Sequence, residues 1–322
     1  MDKSRNADAW LDLSTGINSL AYPLPELNSA DWQSLPSARN REGLLETARA
    51  YYNVPADTAI GAVPGTEAAI NQLPDFLPGP VAIAEPTYSS HRAAWSARGH
   101  DVYGHSAGAT AVASQHLIIV NPNNPTGELR PAETLLKLAG ELSPDCVLIV
   151  DEAFMDCTPA CSIVPHLRPD LPIIVLKSFG KFFGLAGLRL GFVIGRRDLV
   201  EAVSNRFGDW SISGPALRIG KVALEDRAWQ AASRIHLKHS MDRLETFLKG
   251  PDRILGRTDL FLLYRQTDAV RLHRHLAERQ IWTRMFSSQP TWLRFGAPAS
   301  MSDFSRLAQS LGEFEDFQRD AS

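Results

Sequence analysis

Ser178-Phe-Gly-Lys181-Phe-Phe-Gly184-Leu-Ala-Gly187-Leu-Arg189-Leu-Gly191 follows closely on an apolar run, Ile173–Leu176. That run is short, made of Ile, Val and Leu, and gives way to polar and turn residues. This is the pattern of a strand buried on both faces. Three more runs read the same way: Val81–Ala84, Leu117–Val120 and Val147–Val150. Between the runs lie stretches with helical spacing, Thr66–Leu77 and Ala132–Leu142. Strands alternating with helices predict an α/β chain with a mostly parallel sheet covered by helices on both faces. Past about Ala223 the texture changes. A long helix over Ala228–Phe247, two shorter apolar stretches (Leu260–Tyr264 and Trp292–Phe295) and a charged helix over Ala269–Arg279 predict a smaller α+β domain there.

The chain has 322 residues, 44% hydrophobic and 21% charged, with a net charge of -3. Those proportions suit a globular protein able to bury a large core. The absence of a basic excess argues against nucleic acid or an anionic membrane as partner. Met1 to Trp10 is polar, without the apolar centre of a secretion signal, and no apolar run approaches the roughly 20 residues that span a bilayer. Three cysteines, Cys146, Cys157 and Cys161, make no disulfide framework, so a reduced, cytoplasmic chain is expected.

In an open α/β sheet, ligands sit off the carboxyl ends of the strands. The polar residues past those ends are Asn121–Gly127, Asp151–Phe154 and Ser178–Lys181, and the three segments are expected to converge. A lone lysine is ordinarily a solvated surface residue. Lys181 stands instead among glycines and apolar residues, where desolvation favours the neutral amine that attacks a carbonyl. Ser178 and Arg189 on either side of it suit a phosphate. Asp151, at a dry strand end, reads either as a helix cap or as the partner of a buried cation. An Asp-Glu pair at a strand end is also a magnesium site in nucleotide hydrolases, and that class stays open on this motif alone. Asn121-Pro-Asn-Asn124-Pro-Thr-Gly127 is a turn-forming string whose Asn124 could donate to a ligand oxygen. Val63-Pro-Gly65-Thr66-Glu67 opens a helix; it is either a plain capped start or an anion site made by backbone N–H groups and the helix dipole.

Other motifs fail. Gly184, Gly187 and Gly191 do not space as a dinucleotide fingerprint, and the segment from Gly214 to Gly220-Lys221-Val222 departs from a P-loop in spacing and in its last residue. Cys157 with Cys161, or His273 with His275, lacks the second pair that a zinc finger needs.

Taken in order, the Gly65-Thr66 helix start, Tyr88 after a strand, Asn121-Pro-Asn-Asn124-Pro-Thr-Gly127, Asp151-Glu-Ala-Phe154, and Ser178-Phe-Gly-Lys181 with Arg189 beyond it resemble the fold-type I pyridoxal-phosphate enzymes, the aspartate aminotransferase superfamily. The resemblance implies a large domain over 36–220 with a mostly parallel, seven-stranded type of sheet. It implies a small α+β domain from 1–35 and 221–322, and a homodimer. It implies pyridoxal 5'-phosphate as cofactor, with Lys181 as the Schiff-base lysine and proton shuttle and Asp151 on the pyridine nitrogen. Asn124 is implied at the phenolic oxygen, and could also touch the substrate carboxylate. Gly65, Thr66, Ser178 and Arg189 are implied around the phosphate, Tyr88 stacked on the ring, and Arg294 on the substrate α-carboxylate. Two positions depart from the pattern. Phe154 stands where many relatives carry a tyrosine, and Ser34-Leu35-Pro36-Ser37 replaces a segment whose tyrosine reaches the neighbouring subunit's phosphate.

Within that superfamily the chain is most similar to threonine-phosphate decarboxylases of cobalamin biosynthesis, which are themselves similar to histidinol-phosphate aminotransferases. The motifs are Leu11-Asp-Leu-Ser-Thr-Gly16-Ile-Asn18, Leu35-Pro36, Ala50-Tyr-Tyr, Asp151-Glu-Ala-Phe154-Met-Asp156 and Trp210-Ser-Ile-Ser-Gly-Pro-Ala; Ser19 follows Asn18 where that family has proline. The implied reaction is decarboxylation of L-threonine O-3-phosphate to (R)-1-amino-2-propanol O-2-phosphate. The placement of the carboxylate by Arg294 and the loop around Asn18 would decide between loss of CO₂ and transamination. Arg39, Arg41 and Arg284 are candidates for the substrate phosphate, though each is an ordinary surface arginine on its own. An aminotransferase, and a non-catalytic protein that only binds the cofactor, are the alternatives.

Overall fold

The computed structural model describes residues 10–106, 115–248 and 253–320. The polar start, apart from Trp10, lies outside the described residues. The chain divides into two compact units: Ala21–Gln230, and the residues up to Leu20 together with those from Ala231 onward. The sequence placed these divisions near residues 35 and 220.

The chain opens with β1 (Leu11–Asp12), α1 (Ser29–Gln33) and α2 (Ala38–Tyr52). There follow β2 (Ala59–Val63), α3 (Thr66–Phe76), β3 (Val81–Glu85), α4 (Ser89–Ala97), β4 (Val102–Ser106), β5 (His116–Val120) and α5 (Ala132–Gly140). Then come β6 (Leu148–Asp151), β7 (Ile173–Ser178), α6 (Phe179–Phe182), β8 (Gly191–Gly195), α7 (Arg197–Asn205) and α8 (Gly214–Glu225). Strands β2 to β8 form a seven-stranded sheet in the order β2-β8-β7-β6-β5-β3-β4. Its central pairs, β3/β5, β5/β6 and β6/β7, are parallel, and only β8 runs against its neighbours. The expected mostly parallel α/β sheet is therefore present, with the expected strands in place to within a residue or two.

The reason is visible in the burial. Every residue of β5 and β6 is buried, as a parallel strand covered on both faces requires. Ile118, Ile149, Ile174, Leu176 and Val193 pack in one cluster with Ile70 and Leu73 of α3, Trp95 of α4 and Val200 and Val203 of α7. At about 25 cal/mol per Å² of apolar surface removed from water, side chains of this size each contribute on the order of 1.5–3 kcal/mol. Strand β8 can end hard against the start of β7 because Gly195 takes φ +140, where a Cβ would stand 2.2 Å from the Ile173 carbonyl oxygen.

In the other unit, β10 (Phe261–Arg265) and β13 (Gln289–Gly296) pair antiparallel at the centre of a four-stranded sheet, with β9 (Ile254–Arg257) and β12 (Arg284–Phe286) outside them. Helices α10 (Ala269–Glu278) and α11 (Met301–Asp320) belong to this unit, and β1 pairs with β11 (Ile281–Trp282). Helix α9 (Arg227–Phe247) runs on through the division near residue 230.

Candidate active site

Past the carboxyl ends of β5, β6 and β7 the unit Ala21–Gln230 holds a pocket of roughly 230 Å³. Gly65, Thr66, Tyr88, Asn124, Asp151, Ser178, Lys181 and Arg189 all line it, as do Glu67, Ala153 and Phe154. The three polar segments thus meet, because β5, β6 and β7 are adjacent and end at one edge of the sheet.

Asp151 closes β6 and is 3% exposed. One carboxylate oxygen accepts the Ala153 N–H at 3.0 Å and so holds the local turn, but no helix begins here for Asp151 to cap. The other lies 3.0 Å from Nε2 of His91, a residue 1% exposed. A carboxylate only accepts, so His91 donates through Nε2–H. The sequence did not single out His91. Its one signal was a position one helical turn beyond Tyr88, at the start of α4; its partner lies far along the chain, where periodicity says nothing. Glu152, the second acid of the Asp-Glu pair, turns away from the pocket to Lys177 at 2.9 Å, so the two carboxylates do not face one cation.

The side of the pocket where an anion is expected rests on close backbone approach. Gly65, not Thr66, is the N-cap of α3, with φ 84. A Cβ there would stand 2.8 Å from Nη2 of Arg189, and a Cβ at Gly191 would stand 2.9 Å from the Thr66 nitrogen. Glycine at both positions lets the start of α3, with its unsatisfied N–H groups, meet the turn that carries Arg189. Arg189 itself sits at φ 54 and donates to the Ala186 carbonyl at 2.9 Å.

Lys181 lies on the single turn α6, set among Phe179, Phe182 and Phe183, all buried. Phe179 and Phe183 stack with ring centroids 4.3 Å apart, and Trp229 stacks on Phe183 at 5.6 Å. Tyr22 donates its N–H to the Phe183 carbonyl at 2.9 Å. An aromatic block thus fixes the turn, and the Lys181 amine stands 5.6 Å from the Phe154 ring centroid. Tyr88 caps α4 and donates to Glu67 Oε2 at 3.0 Å; burial, with Glu67 adding to it, raises its phenol above the ordinary value.

The remaining candidates lie elsewhere. Arg294 and Asn18 belong to the other unit. Arg294, on β13, is 7% exposed and donates to the Ser14 carbonyl at 2.7 Å. Burial and the neighbouring Arg284, its partner across β12 and β13, push its guanidinium down to about 10. Asn18 is buried, its amide donating to Ser233 at 2.9 Å and its oxygen accepting the Leu20 N–H at 3.0 Å. Arg41 pairs with Asp209 at 3.0 Å, and Arg39 lines a separate groove with Arg218 and Lys221.

A glycine-lined anion cradle, a buried carboxylate held by a histidine and a lysine on an aromatic floor together match what a pyridine-type cofactor with a phosphate needs. Comparison with known proteins decides the family. The model of the aminotransferase class I and II family matches residues 27–309. The chain belongs to that family. Among curated members, it is 38% identical over 312 residues to a threonine-phosphate decarboxylase of Sinorhizobium sp, covering 95% of this chain and 92% of that protein. It is 39% identical over 316 residues to the threonine-phosphate decarboxylase of Pseudomonas aeruginosa, with the same coverage. Among solved family folds, the putative histidinol-phosphate aminotransferase of Erwinia carotovora atroseptica superposes with a TM-score of 0.81 over 97% of both chains at 19% identity. The L-threonine-O-3-phosphate decarboxylase of Porphyromonas gingivalis superposes with a TM-score of 0.74 over 95% of this chain and 99% of that one, also at 19% identity.

Proposed function

We propose that this chain is a pyridoxal-phosphate-dependent lyase that decarboxylates L-threonine O-3-phosphate to (R)-1-amino-2-propanol O-2-phosphate, a step of cobalamin biosynthesis. The observation that carries the reading is near-full-length identity of 38–39% to two proteins named threonine-phosphate decarboxylase, joined to a pocket of the right chemistry.

When bound, pyridoxal 5'-phosphate supplies an electron sink next to the substrate's Cα. Gly65, Thr66, Ser178 and Arg189 would hold its phosphate through backbone donors and the guanidinium. Asp151, oriented by His91 and the Ala153 N–H, would pair with the ring nitrogen. Asn124 would donate to the ring oxygen and Tyr88 would cover one face. Lys181 would carry the cofactor and later return a proton to Cα. Phe154, which lines the pocket 5.6 Å from the Lys181 amine, would help keep water from competing for that proton. Arg294 would bind the α-carboxylate as a bidentate pair. Of the three arginines considered for the substrate phosphate, Arg284 stands beside Arg294 on the paired strand, whereas Arg41 is already engaged by Asp209. Asn18, with both ends of its amide bonded inside its own unit, would act by holding the N-terminal segment in place.

A cytoplasmic homodimer completes the proposal. Leu24, Trp32, Leu35 and Trp210 are each more than 60% exposed, a surface that association would cover, and the three cysteines are free thiols. No helix among the described residues is long and apolar enough to cross a membrane.

The test is to load the purified protein with pyridoxal 5'-phosphate and add L-threonine O-3-phosphate without any 2-oxo acid. The expected outcome is CO₂ equal to substrate consumed, over many turnovers. Turnover that requires 2-oxoglutarate and yields glutamate without CO₂ would replace this reading by transamination. Cofactor binding with neither reaction would leave a binding protein.

A further inference from the structure

Lys177 and Glu152 stand next in sequence to Ser178 and Asp151, yet neither lines the pocket. Asp151 and Leu176 are partners across β6 and β7, and the Glu152 N–H continues that ladder to the Leu176 carbonyl at 2.9 Å. The register therefore brings Glu152 and Lys177 together just past the last pair. Side chains alternate along a strand, so Lys177 leaves β7 on the face opposite Ser178.

On that face the Lys177 ammonium is 2.9 Å from Glu152 and 3.3 Å from Asp156. All three residues are at most 3% exposed. Glu152 also accepts the Ser162 hydroxyl and the Ile163 N–H, and the Tyr52 ring lies 4.8 Å from the ammonium. Burial alone would take the proton from Lys177, but the two carboxylates outweigh it and hold its pKa up. Taking three charges out of water is expensive, and an apolar cluster of the same volume commonly stabilises a fold as well or better. What an apolar cluster would not do is fix direction and spacing. This cluster ties the strand that ends in Asp151 to the strand that leads into Lys181.

We propose that Glu152 and Lys177 are positioning residues for the cofactor pocket, setting the spacing between Asp151 and the Lys181 turn from the far side of the sheet. This rests on the pyridoxal-phosphate reading above. Neither residue touches the pocket, so their effect reaches it only through the backbone of β6 and β7.

The experiment uses the full-length protein and the Glu152→Gln/Lys177→Met double variant, which keeps the cluster's single excess negative charge on Asp156. The dissociation constant for pyridoxal 5'-phosphate and the pH midpoint of the bound cofactor's absorption are measured beside the thermal unfolding of the cofactor-free protein. The expected result is cofactor binding weakened by about tenfold or more with a displaced pH midpoint, since a misplacement of about an ångström is costly in such sites. The cofactor-free unfolding temperature shifts by only a few degrees. Glu152→Gln alone keeps an acceptor for Ile163 and leaves Lys177 paired with Asp156, so its effect is in the same direction and smaller. If the double variant does not fold, Glu152→Gln carries the test. Wild-type affinity and pH midpoint in whichever variant folds would overturn the proposal. Failure of the wild-type chain to bind pyridoxal 5'-phosphate would instead sink the functional reading itself.

Discussion

Lys177 and Arg294 are both almost wholly buried cations, and they sit in opposite surroundings. Lys177 has two carboxylates within 3.3 Å, and they hold its proton in place. Arg294 has burial and a second arginine, Arg284, acting on it, and both push its proton off. Burial alone thus does not set the state of a cation; the sign of the charge beside it decides the direction.

The largest effect expected from this contrast is on Lys177. Lys177→Met leaves Glu152 and Asp156 buried together without their cation, and the chain should lose about 3–5 kcal/mol of stability. A urea unfolding curve reads it directly, and a loss under about 1 kcal/mol would break the comparison. Arg294→Ala should behave in the opposite way. Its unfolding midpoint should move less, because a costly buried charge has gone, while KM for L-threonine O-3-phosphate rises roughly 10- to 100-fold, the worth of charge-assisted hydrogen bonds of about 1.5–3 kcal/mol. An unchanged KM would remove Arg294 from the substrate site.

His116 sharpens the comparison with a buried base whose hydrogen-bond partners are neutral. Its Nδ1 accepts the Val147 N–H at 3.1 Å, so the ring proton is on Nε2, which donates to the Pro78 carbonyl at 3.0 Å. Protonating Nδ1 would lose that acceptor, and burial lowers the pKa from the usual 6.5. The unfolded chain takes up the proton first, so the stability contributed by neutral His116 is complete above pH 6.5 and drains as pH falls below it. The effect should be smaller than that of either substitution above. Unfolding midpoints between pH 7 and pH 5 should slope less in His116→Asn than in the wild type; equal slopes would show that His116 has no part in the acid limb.

Much of the pocket was legible in the sequence because its residues come as short local strings at strand ends. Asn124, Asp151, Ser178 and Lys181 each follow an apolar run, and the rule that ligands gather at carboxyl ends of strands brings them together without further information. The glycines at 65 and 191 were legible as glycines, but their purpose was not: each exists for a contact with the other's neighbourhood, across more than a hundred residues of chain. His91 and Lys177 stayed hidden for the same reason, since their partners are set by sheet register and helix docking. Asn18, expected at the substrate by resemblance, also bonds to Ser233 and to the Leu20 N–H, pairings that only the folded unit creates.

The crowding around β8 has a consequence for inheritance. A Cβ at Gly191 would meet the Thr66 nitrogen, and one at Gly195 would meet the Ile173 carbonyl oxygen, both backbone atoms with nowhere to go. Most single-base changes in a glycine codon write in a larger residue, so these two positions should be nearly empty of survivors in any randomised library selected for function. Strand β8 is then a genetic bottleneck, and the variants that survive selection should gather away from it.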